Sequence, residues 1–251
     1  PDMLPSDVTG VSVFNQSTRE FEFRPGPIMS QIVLTDEINR ATPKTQSALL
    51  EAMQERHVTA GGATRPLPRP FLVLATQNPL EQEGTYPLPE AQLDRFLLKS
   101  QVGMPSADEL VEIVERTTGS HTPAVSTVTD ADELRAMAEL TRSVPVPEHV
   151  TRFAVDLVLA THPGPDAHEL VERYVRFGAS PRGAQALLLA AKVTALLDGR
   201  PSVALDDVVA VAPAALRHRI GLGYEAAVDD VGTDRVVDEL VVTVQRRASV
   251  A

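Results

Sequence analysis

The sequence predicts an α/β fold in which a parallel sheet with helices and two β-hairpins is followed by an all-helical unit. Two short apolar runs, Ile32 to Leu34 and Phe71 to Ala75, each pass directly into polar residues, as strands of a covered parallel sheet do. From Ser106 onward the texture changes to Ala- and Val-rich stretches with helical spacing.

Taken in order, Val11 to Phe14, a turn at Asn15 to Thr18, and Glu20 to Phe23 alternate as a hairpin does, ended by Arg24-Pro25-Gly26-Pro27. Its half-apolar face predicts that it leans on another element. Next, Gln31 to Leu34 runs into Asp36-Glu37, which reads as a strand buried on both faces with an acidic carboxyl end. Thr42 then suits an N-cap and Pro43 the first helical position, with Ala48, Leu49, Ala52 and Met53 on one stripe. Gly61-Gly62, between His57 to Ala60 and Ala63 to Arg65, predicts a second hairpin. The run from Phe71 to Thr76 forms the second buried strand and places Asn78 on the same rim as Asp36. A short helix is expected within Leu88 to Phe96 and a further strand over Leu97 to Val102.

Beyond a linker near Gly103-Met104-Pro105, Ser106 and Glu109 form a capping-box pattern that opens a helix to about Arg116. Helices follow over Asp132 to Leu140, Glu148 to Ala160, Leu170 to Phe177, Pro181 to Leu197, Asp206 to Leu216 and Asp234 to Gln245. The expected division is residues 1–104 for the α/β part and 105–251 for the helical part.

Composition excludes several functions. Without cysteine there are no disulfides, no thiolate chemistry and no Cys-ligated zinc. A net charge of -11 argues against a broad duplex-DNA or anionic-membrane footprint. The longest apolar stretch, Ala184 to Leu197, is interrupted by Gln185, Lys192 and Thr194 and is shorter than the ~20 residues of a membrane span. The acidic, proline-rich Pro1 to Asp7 does not resemble a signal peptide, so a soluble, cytoplasmic protein is expected. Lysine occurs only at Lys44, Lys99 and Lys192, none of them within a G-x-x-x-x-G-K-[ST] loop.

Five residues are candidates for chemistry. In a nucleotide-hydrolysing site Asp36 would hold Mg²⁺ and Glu37 would polarise the attacking water; the pair also fits two solvated acids at a strand end. An amide at Asn78 could bond a γ-phosphate oxygen and that water, or simply form a turn before Pro79. Arg95, between Leu93 and Phe96, could reach a phosphate across a subunit boundary, or pair with Asp94 or Glu90. Arg182 stands in the first turn of a helix capped by Ser180, where an anion is already favoured, or is an exposed arginine. His162 and His168 match no metal-ligand spacing and read as loop residues.

Together, Leu34 to Ala41, Leu49 to Arg56, Ala75 to Pro79, Glu83 to Phe96 and Ser180 to Arg182 resemble the MoxR family of AAA+ ATPases, in five ordered blocks. The resemblance implies a partial AAA+ P-loop NTPase core followed by an all-α lid domain, with ATP and Mg²⁺ as cofactors. It implies that Asp36 and Glu37 are the Walker B pair, with Asp36 on the metal, and that Asn78 is the first sensor. Arg95 would be the arginine finger and Arg182 the second sensor, so that Asp36, Glu37, Asn78 and Arg182 face the subunit's own nucleotide. The hairpin from Val11 to Phe23 resembles the insert of the clade's second helix, and that at Gly61-Gly62 its pre-sensor hairpin. Members act as chaperone-like remodelling ATPases, often as hexameric rings, with von Willebrand factor A domain proteins and client proteins as partners. A Walker A loop lies upstream of these blocks in the family, which implies that this sequence is a fragment or a degenerate paralogue. The alternatives are a nucleotide-incompetent interaction module and a DNA-directed motor of the same clade.

Overall fold

The computed structural model describes residues 3–78, 84–119 and 124–250. Its first part starts with a short helix α1 (Pro5–Thr9) and the hairpin β1 (Gly10–Asn15) and β2 (Glu20–Pro25), which pair antiparallel. Strand β3 (Ile32–Thr35) leads through a 3₁₀ turn (Ile38–Arg40) to helix α2 (Pro43–Glu55). Thr42 caps α2 by accepting from the Thr45 amide at 3.4 Å, with Pro43 at the first position. The second hairpin joins β4 (His57–Ala60) to β5 (Ala63–Pro66) through Gly61 and Gly62, both at positive φ, the backbone that a two-residue turn between right-twisted strands requires. Strand β6 (Leu72–Ala75) then pairs parallel with β3, Ile32 opposite Leu72 and Thr35 opposite Ala75. Helix α3 (Glu90–Leu93) closes this part.

The rest carries α4 (Ala107–Thr118), α5 (Ala131–Ser143), α6 (Glu148–Ala160), α7 (Glu169–Tyr174), β7 (Val175–Phe177), α8 (Pro181–Leu197), α9 (Leu205–Leu216), β8 (Gly221–Leu222), α10 (Tyr224–Val228) and α11 (Thr233–Val250). The capping box at α4 forms in both directions between Ser106 and Glu109. Two separate buried clusters result. One gathers Ile28, Ile38, Leu49, Leu50 and Val58 around α2 and the inner face of the sheet; the other gathers Val150, Leu157, Leu187, Leu216 and Val236 from α6, α8, α9 and α11.

Three expectations differ from what is found. Among the described residues the sheet is covered on one face only: Val73 packs on the cluster around α2 and Val33, opposite it, is half-buried, whereas Ile32, Leu34, Leu72 and Leu74 on the other pleat are half or more exposed. No strand forms over Leu97 to Val102, because its backbone is bonded by the helical part instead: the Lys99 amide donates to the Ala214 carbonyl at 2.8 Å, and Arg217 bonds the Lys99 carbonyl at 3.1 Å. The helix expected to run to Phe177 stops at Tyr174, and Val175 to Phe177 extends to pair with β8. Pro79 and Glu83, from the family-like blocks, lie outside the described residues.

Leu157 is fully buried at the centre of the helical cluster. Leu157→Ala is expected to lower stability by about 3 kcal/mol, the sum of lost transfer energy and a partly unrelaxed cavity; denaturant unfolding measures it, and a loss below about 1 kcal/mol would contradict the packing described.

Candidate active site

The rim at the carboxyl ends of β3 and β6 collects the acids. Parallel register puts Thr76, one residue past β6, beside Asp36, one residue past β3; the Thr76 amide bonds the Thr35 carbonyl at 3.0 Å. The Thr76 hydroxyl donates to Asp36 Oδ1 in a short bond and accepts from the Glu37 amide at 2.9 Å. Glu37 has left-handed backbone (φ 50°, ψ 51°), uncommon for a residue with a side chain, and this turns the chain from the strand into the 3₁₀ turn. Its carboxylate pairs with Arg40 at 3.1 Å. Asn78 is drawn to the same rim, its backbone carbonyl accepting from the Asn39 side-chain Nδ2 at 3.5 Å. Behind them the buried Gln46 donates to the carbonyls of Ile38 and Tyr86 at 3.1 and 3.0 Å, which fixes the turn from below.

The donor set fits Mg²⁺. Asp36 is exposed, its Oδ2 meets no hydrogen-bond donor among the described residues, and a magnesium site needs only one or two carboxylates because the ion keeps most of its water.

The arginines form a second group at the junction between the two clusters. Arg95 follows α3 and donates to the Leu50 carbonyl of α2 at 3.0 Å; its Nε is buried with no partner among the described residues. Arg182 stands in the first turn of α8, where the Ser180 hydroxyl accepts from its amide at 3.1 Å, and its guanidinium pairs with Asp94 at 3.1 Å. Neither the Asp94 nor the Glu90 pairing open to Arg95 forms: Asp94 goes to Arg182 and Arg219, and Glu90 to Arg176 at 3.6 Å. None of the described hydrogen bonds ties Arg95 or Arg182 to Asp36 or Glu37, so the structure brings the candidates together as two groups, not one. His162 donates to the Ala179 carbonyl at 3.0 Å and His168 caps α7.

Arg219 and His218 lie deepest at this junction, and the sequence reading passed over both. Arg219 is 2% exposed and donates to Asp94 Oδ1 and to the carbonyls of Asp94, Phe96, Leu97 and Ala215. Those acceptors use all its N–H groups. His218 Nε2 therefore keeps its own proton for the Phe96 carbonyl at 3.0 Å, although it also lies 2.8 Å from Arg219, and its Nδ1 is left buried without a partner among the described residues. Burial pushes the imidazole down to about 4; the Arg219 charge adds to this and the Phe96 bond opposes it. For Asp94, burial alone would raise the pKa. The hydrogen bonds from Ser180 and Arg182 and the Arg219 charge outweigh it and hold the carboxyl below the usual range. The available signal was the basic triplet Arg217-His218-Arg219 just after a helix, where cations suit the dipole.

With this geometry in place, residues 1–98 match the ATPase family associated with various cellular activities (AAA), and residues 167–240 match the AAA lid domain. A crystal structure of a protein assigned as an ATPase from Cytophaga hutchinsonii superposes with a TM-score of 0.88 at 40% identity, covering 96% of this chain and 74% of that one. The sheet followed by a helical lid is thus the fold of the AAA+ ATPases. The chain is 46% identical to the uncharacterized protein YeaC of Bacillus subtilis (99% of this chain, 77% of the relative). It is 44% identical to the chaperone MoxR1 of Mycobacterium tuberculosis (97% of this chain, 65% of the relative). The chain belongs to the MoxR family of AAA+ ATPases.

The burial of His218 makes stability depend on pH. With a folded pKa near 4 and an ordinary one of 6.5, the unfolded chain takes the proton first as pH falls. The contribution is therefore whole above pH 6.5 and is lost toward pH 4, up to on the order of 3 kcal/mol. Urea unfolding between about pH 7 and pH 5 should show a shallower decline for His218→Gln, which retains an Nε2 donor, than for the unaltered protein. Equal declines would remove His218 from the account.

Proposed function

We propose that the complete protein hydrolyses ATP within a ring of like subunits and uses the cycle to remodel or mature client proteins in a chaperone-like way. The observation that carries this reading is the rim, where Thr76 bonds both the Asp36 carboxylate and the Glu37 amide and Asn78 follows three residues past the end of the neighbouring strand β6. Residues 1–104 would be the AAA+ core and 105–251 the lid; the separation of the two buried clusters and the match of 167–240 to the lid family support this division.

In this reading, a bound Mg²⁺ would neutralise charge on the β- and γ-phosphates. Asp36 would hold the ion through its free oxygen while Thr76 fixes the other. Glu37 would accept the proton of the attacking water, and would first have to leave Arg40, which holds it at 3.1 Å. Asn78 would orient that water, and Arg182 would stabilise charge on the terminal phosphate from the lid. Arg95 would act on the nucleotide of the adjoining subunit, and would first have to leave the Leu50 carbonyl, to which it donates at 3.0 Å. A von Willebrand factor A domain partner belongs to this proposal through the family alone. The phosphate-binding loop is not among these 251 residues, so the proposal concerns the complete polypeptide.

Of the alternatives, a nucleotide-incompetent module would show no ATP binding by the complete protein. The net charge of -11 weighs against a DNA-directed motor. Among the described residues no helix is long and apolar enough to cross a membrane.

Glu37→Gln in the complete protein is expected to retain ATP binding and lose about 100-fold or more in kcat, the scale of a missing general base. A steady-state ATPase assay decides it, and wild-type turnover in this variant would sink the assignment.

A further inference from the structure

Asp94 has no part in the chemistry set out above, yet its carboxylate takes donors from three residues of the helical part, Ser180, Arg182 and Arg219. It ends α3 immediately before Arg95. Its Oδ2 takes Arg182 at 3.1 Å and its Oδ1 takes the Arg219 Nε at 3.1 Å, while the Ser180 hydroxyl lies 2.9 and 2.8 Å from the two oxygens. The same Arg219 bonds the carbonyls of Asp94, Phe96 and Leu97, so the turn that carries Arg95 is clamped from the lid side.

The two ion pairs are unlike. Arg182 is 49% exposed and Arg219 is 2% exposed, with Asp94 at 13% between them. An exposed pair is weak and exchangeable, whereas a buried pair with every donor satisfied is not readily opened. A terminal phosphate, with more charge and more acceptor oxygens than one carboxylate, can take Arg182 away from Asp94 while Arg219 stays.

We propose that Asp94 is a positioning residue that couples the two arginines: it competes with the γ-phosphate of the subunit's own ATP for Arg182 and, through Arg219, fixes the turn that presents Arg95 to the neighbouring subunit. This rests on the ATPase reading above. ATP binding then removes one of the two cations from Asp94 and leaves the Arg95 turn on the Arg219 clamp alone. In this way occupancy of one site alters the finger offered to the next.

The test is a steady-state ATPase assay on the complete protein, unaltered and as Asp94→Asn, with melting temperature as a control. Freeing Arg182 in advance should lower KM about three- to fivefold, the scale of an exposed pair. Loosening the Arg95 turn should lower kcat about tenfold or more. A merely structural role would loosen the lid and raise KM, so an unchanged or raised KM overturns the proposal. If Asp94→Asn does not fold, Ser180→Ala relaxes the same grip without leaving a buried charge unpaired. It should lower KM about twofold, and an unchanged or raised KM there is equally decisive. Absence of ATP hydrolysis by the unaltered protein would overturn the ATPase reading itself, whereas hydrolysis with an unshifted KM in the variants overturns only the coupling.

Discussion

The relation between the two parts of this chain depends on one buried guanidinium. Arg219 sits 2% exposed where α3 meets α9, and a charge so placed is tolerable only with an opposite charge and a full set of acceptors. Asp94 supplies the charge, and carbonyls from residues 94, 96, 97 and 215 supply the rest. An apolar contact of the same size would hold the parts together with less dictation of register. The planar fork of a guanidinium demands its acceptors at fixed angles, so the turn from Asp94 to Leu97 has one arrangement against α9. Arg95, within that turn, inherits its position from it.

How much of this the sequence disclosed follows the range over which each signal acts. Thr42-Pro43 before α2, Ser106 with Glu109 at α4 and Gly61-Gly62 between β4 and β5 are satisfied within a few residues of themselves, and each formed as read. Leu97 to Val102 is apolar and β-branched enough for a strand, but a strand exists only if a neighbour takes its hydrogen bonds. Here Ala214 and the Arg217 side chain take them instead. The pairing of Val175 to Phe177 with Gly221 and Leu222 spans more than forty residues and leaves no local mark beyond a short apolar run.

The candidate site divides in the same way. Asp36 and Glu37 were legible because adjacency at a strand end is a local pattern. Thr76 was in view as part of the next strand, yet its bonds to Asp36 and to the Glu37 amide follow only from parallel register, with Thr35 opposite Ala75. Asp94 was visible only as a possible neighbour for Arg95. Its actual partners lie 86 to 125 residues away, beyond the reach of any spacing rule.

The two groups of residues therefore differ in mechanical character, and the difference bears on how such a site would work. The acids stand on a rim fixed by backbone ladder bonds, by Thr76 and by the buried Gln46. The cations stand on a junction fixed by side chains, where one ion pair is buried and its neighbour is half open to water. In the proposed reaction, rigid acids would keep metal and water geometry constant through repeated turnover, as electrostatic catalysis needs, because preorganised groups do not reorganise at the moment of reaction. Arginines on an adjustable junction can respond to the presence of a phosphate, which a rigid rim cannot do. Work on a client protein requires a part that moves when nucleotide binds or leaves. In this fold the exposed Asp94–Arg182 contact is open to exchange with a phosphate while the Arg219 clamp keeps the parts in register, so movement there need not disturb the acids.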